Sequence, residues 1–218
     1  MPLPFRVTDK GIQALEEKIG VSAGFFEALY DEDDWSFVIK LHALLEAACT
    51  HLLMFHFKEP DLADVFSRLE LSGKTVGKIV FLGKIGLLGK EHRRFVSALS
   101  ELRNDLVHDI RNSQFDLQQY VEVLDATALK NFALSFSPYE SIIRGLPDLP
   151  LKTEEERLRM KEATSITEML ERAKATPKFH IWVGAHATLV QIVDMQGYSD
   201  YKQWVKAKHS FGAGDEEV

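Results

Sequence analysis

KEHRRFVSALSELRNDLVHDI, residues 90–110, is the stretch on which the reading of this chain turns. At about 100° per residue, Phe95, Leu99, Leu102, Leu106 and Ile110 fall within one narrow arc, so the segment predicts a helix over 90–110 with that stripe facing a core. With Phe95 at zero, Arg103 lies near 80°, at the border of the stripe, while Ser100, Asn104, His108 and Arg111 gather between about 140° and 220°. Asn104, His108 and Arg111 stand at i, i+4 and i+7. A straight helix therefore does not set Arg103 beside His108. Either the helix distorts here or their partners lie on another helix or another subunit. Three readings are open: an active centre, a polar structural lock, or a solvated face.

Outward from this segment, nearly everything reads as helix, and no stretch shows sustained strand alternation. Helices are expected at 9–19 and 22–30, broken near Gly20. DEDD at 31–34 supplies an N-cap and first-turn acids for a long helix from Trp35 to about Phe57. Along that helix Phe37, Leu41, Leu44, Leu45, Ala48, Leu52 and Phe55 recur at three- and four-residue steps, and Glu59-Pro60 stops it. A short helix follows from the cap Asp61 through Arg68. The glycine-studded stretch before residue 90 reads as a helix at 74–83 and a turn near Gly86–Gly89. One or two helices fit 116–136. Residues 137–152 hold three of the seven prolines and read as a linker. Helices return at 153–174, at 177–195 after the cap Thr176 with Pro177 first, and at 199–208. The organisation expected is an N-terminal helical arm (1–30), a bundle core (31–136), the linker (137–152), a C-terminal helical extension (153–210) and a tail (211–218).

The chain has 218 residues, 45% hydrophobic and 27% charged, which suits a folded domain and not a disordered one. MPLPFRVTDKG at the start lacks the apolar region of a secretory signal. The runs ALLEAAC and HLLMF are interrupted by Glu46 and flanked by histidines, so no membrane span is expected. A single cysteine, Cys49, fits a reducing compartment, and the expected location is cytoplasmic. The net charge of −7 opposes broad, charge-driven binding to nucleic acid. Locally the balance differs, because Lys74, Lys78, Lys84, Lys90, Arg93, Arg94, Arg103 and Arg111 face only Glu91, Glu101, Asp105 and Asp109 over 74–111. That leaves room for a basic strip around the helix.

Other constellations dissolve on inspection. His42, Cys49 and His56 share a helix face, but seven residues advance about 10.5 Å, beyond one metal's reach. His42 and Glu46 at i, i+4 read instead as a hydrogen-bonded pair. His180 and His186, on an apolar helix with Trp182, read as packing. SGKTVGK at 72–78 lacks the glycine a phosphate loop needs, since position 68 is Arg. No helix-turn-helix with a basic recognition helix is visible. No metal and no cofactor is expected.

A converging His and Arg suit phosphodiester cleavage: an imidazole moves the proton of a ribose 2′-hydroxyl and a guanidinium stabilises the charge of the phosphorane, with no metal needed. The competing structural reading has Arg103 paired with a buried carboxylate, Asn104 capping backbone groups and His108 merely on the surface. LRNDLVHD resembles the signature of the HEPN superfamily, in which an Arg and a following polar residue precede a His on a late bundle helix; Arg103, Asn104 and His108 match it with four residues between Arg and His. GKIVFLGKIGLLGKEHRRFVSALSELRNDLVH (77–108), SQFDLQQYV (113–121) and DWSFVIKLHALLEAACTHLL (34–53) resemble the mannitol-operon-repressor-like branch, whose first long helix carries an acid near its middle, here Glu46. The resemblance covers about residues 30–135. This chain departs from it in Leu106-Val107, where the branch often has Phe-Ala, and in Ile110, where some toxin members carry a Tyr. It implies an all-α, HEPN-like bundle that dimerises, with Arg103, Asn104 and His108 as catalytic residues and Glu46 holding Arg103. Arg111, Arg93, Arg94 and Lys78 would meet RNA. Two functions follow: a metal-independent endoribonuclease of a toxin or defence system, or a non-catalytic dimeric regulator acting on a protein partner.

Overall fold

A computed structural model of the chain describes residues 9–73, 75–108, 110–137, 153, 155 and 165–212. It is all-α, 78% helical, with about ten helices packed in a bundle and no strand among the described residues. In chain order these are α1 (Lys10–Lys18), α2 (Phe25–Ala28), α3 (Asp34–Phe57), α4 (Ala63–Arg68), α5 (Lys78–Lys84), α6 (Lys90–Val107), α7 (Leu117–Glu122), α8 (Ala126–Ser135), α9 (Ile166–Ala175) and α10 (Pro177–Gly212). The expected linker falls almost wholly, and the first half of the 153–174 helix largely, outside the described residues.

Three long helices make the frame. α3 starts where the acidic run predicts: Asp33 is its N-cap and its Oδ1 accepts from Ser36 N at 2.9 Å. It ends at Phe57, where Lys58 takes a left-handed conformation at φ 53° ahead of Pro60. α6 runs antiparallel to it, since Trp35 near the start of α3 meets Leu106 near the end of α6, and His42 meets Ser100. α10 runs parallel to α3: Lys178 Nζ lies 3.2 Å from Asp34 Oδ1, and eighteen residues on, Gln196 Nε2 lies 3.0 Å from His51 Nδ1.

The predicted stripes are the core. Phe37, Leu41, Leu44, Leu45, Ala48 and Leu52 of α3, with Phe95, Leu99, Leu102 and Leu106 of α6, are all buried, each burial contributing about 1.5–3 kcal/mol for a large side chain. Phe55 is the exception, half-buried at the α3 end. The same core takes in Ile12 and Leu15 of α1, Phe26 of α2 and Ile181, Trp182, Leu189 and Ile192 of α10. The segments set apart in sequence as arm and extension thus feed one hydrophobic interior. α3 is apolar on most of its faces because several helices cover it. By length and composition it is also apolar enough to cross a membrane, with half of its most apolar window buried inside the bundle.

Several boundaries move. The helix expected over 90–110 stops at Val107, so Arg111 sits not on its face but in a 3₁₀ turn over Ile110–Gln114. The helix expected at 74–83 begins only at Lys78. Thr176 stands before Pro177 at the start of α10, its carbonyl accepting from His180 N at 3.0 Å, while its hydroxyl donates back to Arg172 O at 3.2 Å, closing α9. α10 does not break near Gly197 but continues to Gly212. An isolated glycine lowers helix propensity by about 1 kcal/mol, too little by itself to end a helix.

Candidate functional site

The carboxyl end of α6 carries the motif. The helix is regular to Val107, with His108 as its C-cap at φ −81°, ψ −12°. The last carbonyls of a helix need donors. Here they come from outside the motif: Asn112 Nδ2 donates to Asp105 O at 2.9 Å, and Trp35 Nε1 approaches Leu106 O at 3.5 Å. The His108 ring is exposed and is not used to close the helix. Arg103 is half-buried, and its Nη1 donates to Asn104 Oδ1 at 3.1 Å, so these two side chains are joined. No distortion of α6 brings Arg103 and His108 together, and they remain on different faces.

Two expectations for the surroundings are corrected. Glu46 does not hold Arg103; its Oε1 pairs with Lys78 Nζ at 2.7 Å. Lys78 cannot meet RNA, because its side chain is 1% exposed, covered where α5 starts against α3. Nor does His42 bond to Glu46. Its Nε2 lies 3.2 Å from Ser100 Oγ, which itself donates to Val96 O at 2.8 Å. Ser100 therefore belongs to a buried polar pair and not to the motif's outer face. Burial pushes the His42 pKa down; the Glu46 charge opposes this, and those of Arg103 and Lys78 add to it. Cys49 is buried between these elements, its thiol pushed up to about 12 by desolvation, which removes it as a nucleophile.

Arg93 and Arg94 share a cleft of about 680 Å³ with Lys90, Ser97, Glu101 and Asn104 of the same helix and with Glu70, Ser72 and Gly73 of the turn before α5. Lys90, Ser97 and Glu101 were not singled out from sequence, although their spacing with Arg93 and Asn104 repeats every three to four residues and was legible as a row. Arg111 is exposed on the 3₁₀ turn. His180 and His186 pack as expected: His180 Nε2 reaches Ala133 O at 2.9 Å, and His186 stacks on Trp182 at 5.6 Å. Among the described residues no group of three or more His, Cys, Asp or Glu is placed to hold a metal ion. No protein-family model, no curated protein and no solved structure matches this chain.

Proposed function

We propose that this is a HEPN-like, metal-independent endoribonuclease of a toxin or defence system, working as a homodimer. The observation that carries the reading is that folding does not consume the motif. Under the structural alternative Arg103 would pair with a buried carboxylate and Asn104 would cap backbone; among the described residues Arg103 instead donates to the Asn104 side chain, whose oxygen accepts that bond. His108 stands exposed beside Val107, an apolar side chain that is 38% exposed on the same turn. A second copy packed over this end would cover Val107 and set the His108 of one chain against the Arg103 of the other, which the wheel forbids within one chain.

In such a cleft His108 takes the proton of the attacking 2′-hydroxyl, and Arg103, oriented by Asn104, stabilises the charge that builds on the phosphorus oxygens. The attack forms a 2′,3′-cyclic phosphate and expels the 5′-oxygen, which takes up a proton. The second reading, a non-catalytic dimeric regulator similar to the mannitol-operon-repressor-like proteins, is favoured by the separation of Arg103 from His108 in the single chain. Incubation with mixed RNA in EDTA decides between them. The parent is expected to cleave, and His108→Ala and Arg103→Ala to lose about 100-fold or more of the rate. Cleavage by His108→Ala at the parent's rate, or no cleavage by the parent, overturns the nuclease.

A further inference from the structure

Arg93 is held in an unusual setting. Its side chain lies flat against Gly83 of α5, where a Cβ would collide with the guanidinium and come within 2.8 Å of Arg93 Cδ. Glycine in a helix costs about 1 kcal/mol relative to alanine, so at this position it serves to make room for the arginine. The Nε of Arg93 is sealed from solvent and meets no acceptor among the described residues. That nitrogen is closed to a ligand, but the residue as a whole is half-buried and lines the cleft, and the planar fork of a guanidinium matches phosphate oxygens well. The cleft that Arg93 lines is of a size that takes a small polar ligand, and it runs along α6 to Asn104.

The same helical face continues one turn further, to His108. From Arg93 to His108 the axis advances about 22 Å, a span of several nucleotides of single strand. Glu70 and Glu101 also line the cleft, which excludes a uniform polyphosphate track and leaves carboxylates to accept from base amino or ribose hydroxyl groups.

We infer that this cleft is an extension subsite for single-stranded RNA, in which Arg93, propped on Gly83, receives a backbone phosphate several nucleotides away from the bond that is cleaved. This rests on the nuclease reading, but it can be tested apart from it. Binding is measured by fluorescence anisotropy on the His108→Ala full-length protein, with a labelled decanucleotide and a labelled dinucleotide. Arg93→Gln is expected to weaken decanucleotide binding about 10-fold and to lower the slope of log K against log salt by about 0.7, as loss of one phosphate contact to a single strand requires. Dinucleotide binding is expected to stay within about 2-fold, as is decanucleotide binding by the control Arg68→Gln, an exposed arginine on α4 outside the cleft.

Gly83→Ala tests the same point without touching a charge, since it displaces the guanidinium while favouring the helix. Should Arg93→Gln fail to fold by circular dichroism, Gly83→Ala and Lys90→Glu carry the test. Arg93-dependent binding in a protein whose parent never cleaves keeps the subsite and discards the nuclease. Cleavage by the parent, with Arg93→Gln and Gly83→Ala binding the decanucleotide as tightly as their background, discards the subsite and keeps the nuclease. A polyglutamate peptide that binds as tightly as the RNA, with the same dependence on Arg93, also overturns the proposal.

Discussion

Lys78 and Glu46 show what a single side chain's surroundings do to its role. The Lys78 ammonium is buried against Glu46, which is itself 39% exposed. Removing one partner of such a pair leaves a charge without compensation, whereas replacing the cation by an apolar side chain of similar length removes the problem altogether. Glu46→Ala is therefore expected to lower stability by about 1–3 kcal/mol, and Lys78→Met to stay within about 1 kcal/mol of the parent, both read from urea midpoints. An unchanged midpoint for Glu46→Ala would contradict the pairing. Sequence placed Glu46 correctly on α3 but assigned it the wrong cation. Arg103 and Lys78 are both candidates by charge, and only the seating of α5 decides which ammonium or guanidinium reaches the carboxylate. Glu16 is a further case. It is buried on α1, its oxygens accepting from Gly24 N and Phe26 N at 2.7 Å each, and no local pattern announced that a carboxylate would bind a turn eight to ten residues away.

At the scale of elements, the crossing of α10 over α6 and α8 depends on Gly184. A Cβ there would strike Phe136 O and come within 2.7 Å of the Phe95 ring. Alanine ordinarily favours a helix over glycine by about 1 kcal/mol, but overpacking a core costs about 1–3 kcal/mol, and here backbone stands opposite backbone. Gly184→Ala is thus expected to destabilise by about 1–3 kcal/mol net, seen as a lower melting temperature; an increase would show that the helices can separate freely. Gly197 is the contrast, since nothing lies within 4 Å of a Cβ at that position. Gly197→Ala is expected to stabilise by about 0.5–1 kcal/mol by thermal melting. The two glycines are indistinguishable as letters within an apolar helix. Expecting α10 to end near Gly197 weighed local propensity and missed that docking along α3 and α1 holds the helix together before that point.

At the scale of the whole molecule, the bundle buries imidazoles. Burial holds His92 and His180 at a pKa of about 4, with the His180 hydrogen bond to Ala133 O opposing and Arg172 adding to the shift, and desolvation lowers His42, His51 and His186 as well. An unfolded histidine titrates near 6.5, so between about 6.5 and 4 the unfolded chain binds protons that the folded chain refuses. Stability is then complete above about pH 6.5 and falls as acid is added, on the order of 3 kcal/mol each for His92 and His180 by pH 4. Urea midpoints at pH 7 and 4.5 check this: the parent loses stability, and His92→Gln loses less of it. A flat profile would mean that the rings are not buried. What the sequence determined by itself was the helical class, the apolar faces of α3 and α6 and the acid cap of α3. Each of these rests on the 3.6-residue period and on local capping, which act within a few turns. Tertiary structure alone decided where α6 ends, which cation meets Glu46, why Gly83 and Gly184 are glycine, and that Arg93 lines a cleft. Those outcomes depend on which surfaces meet, and contacts between residues distant in the chain leave no periodic trace in either partner's own segment.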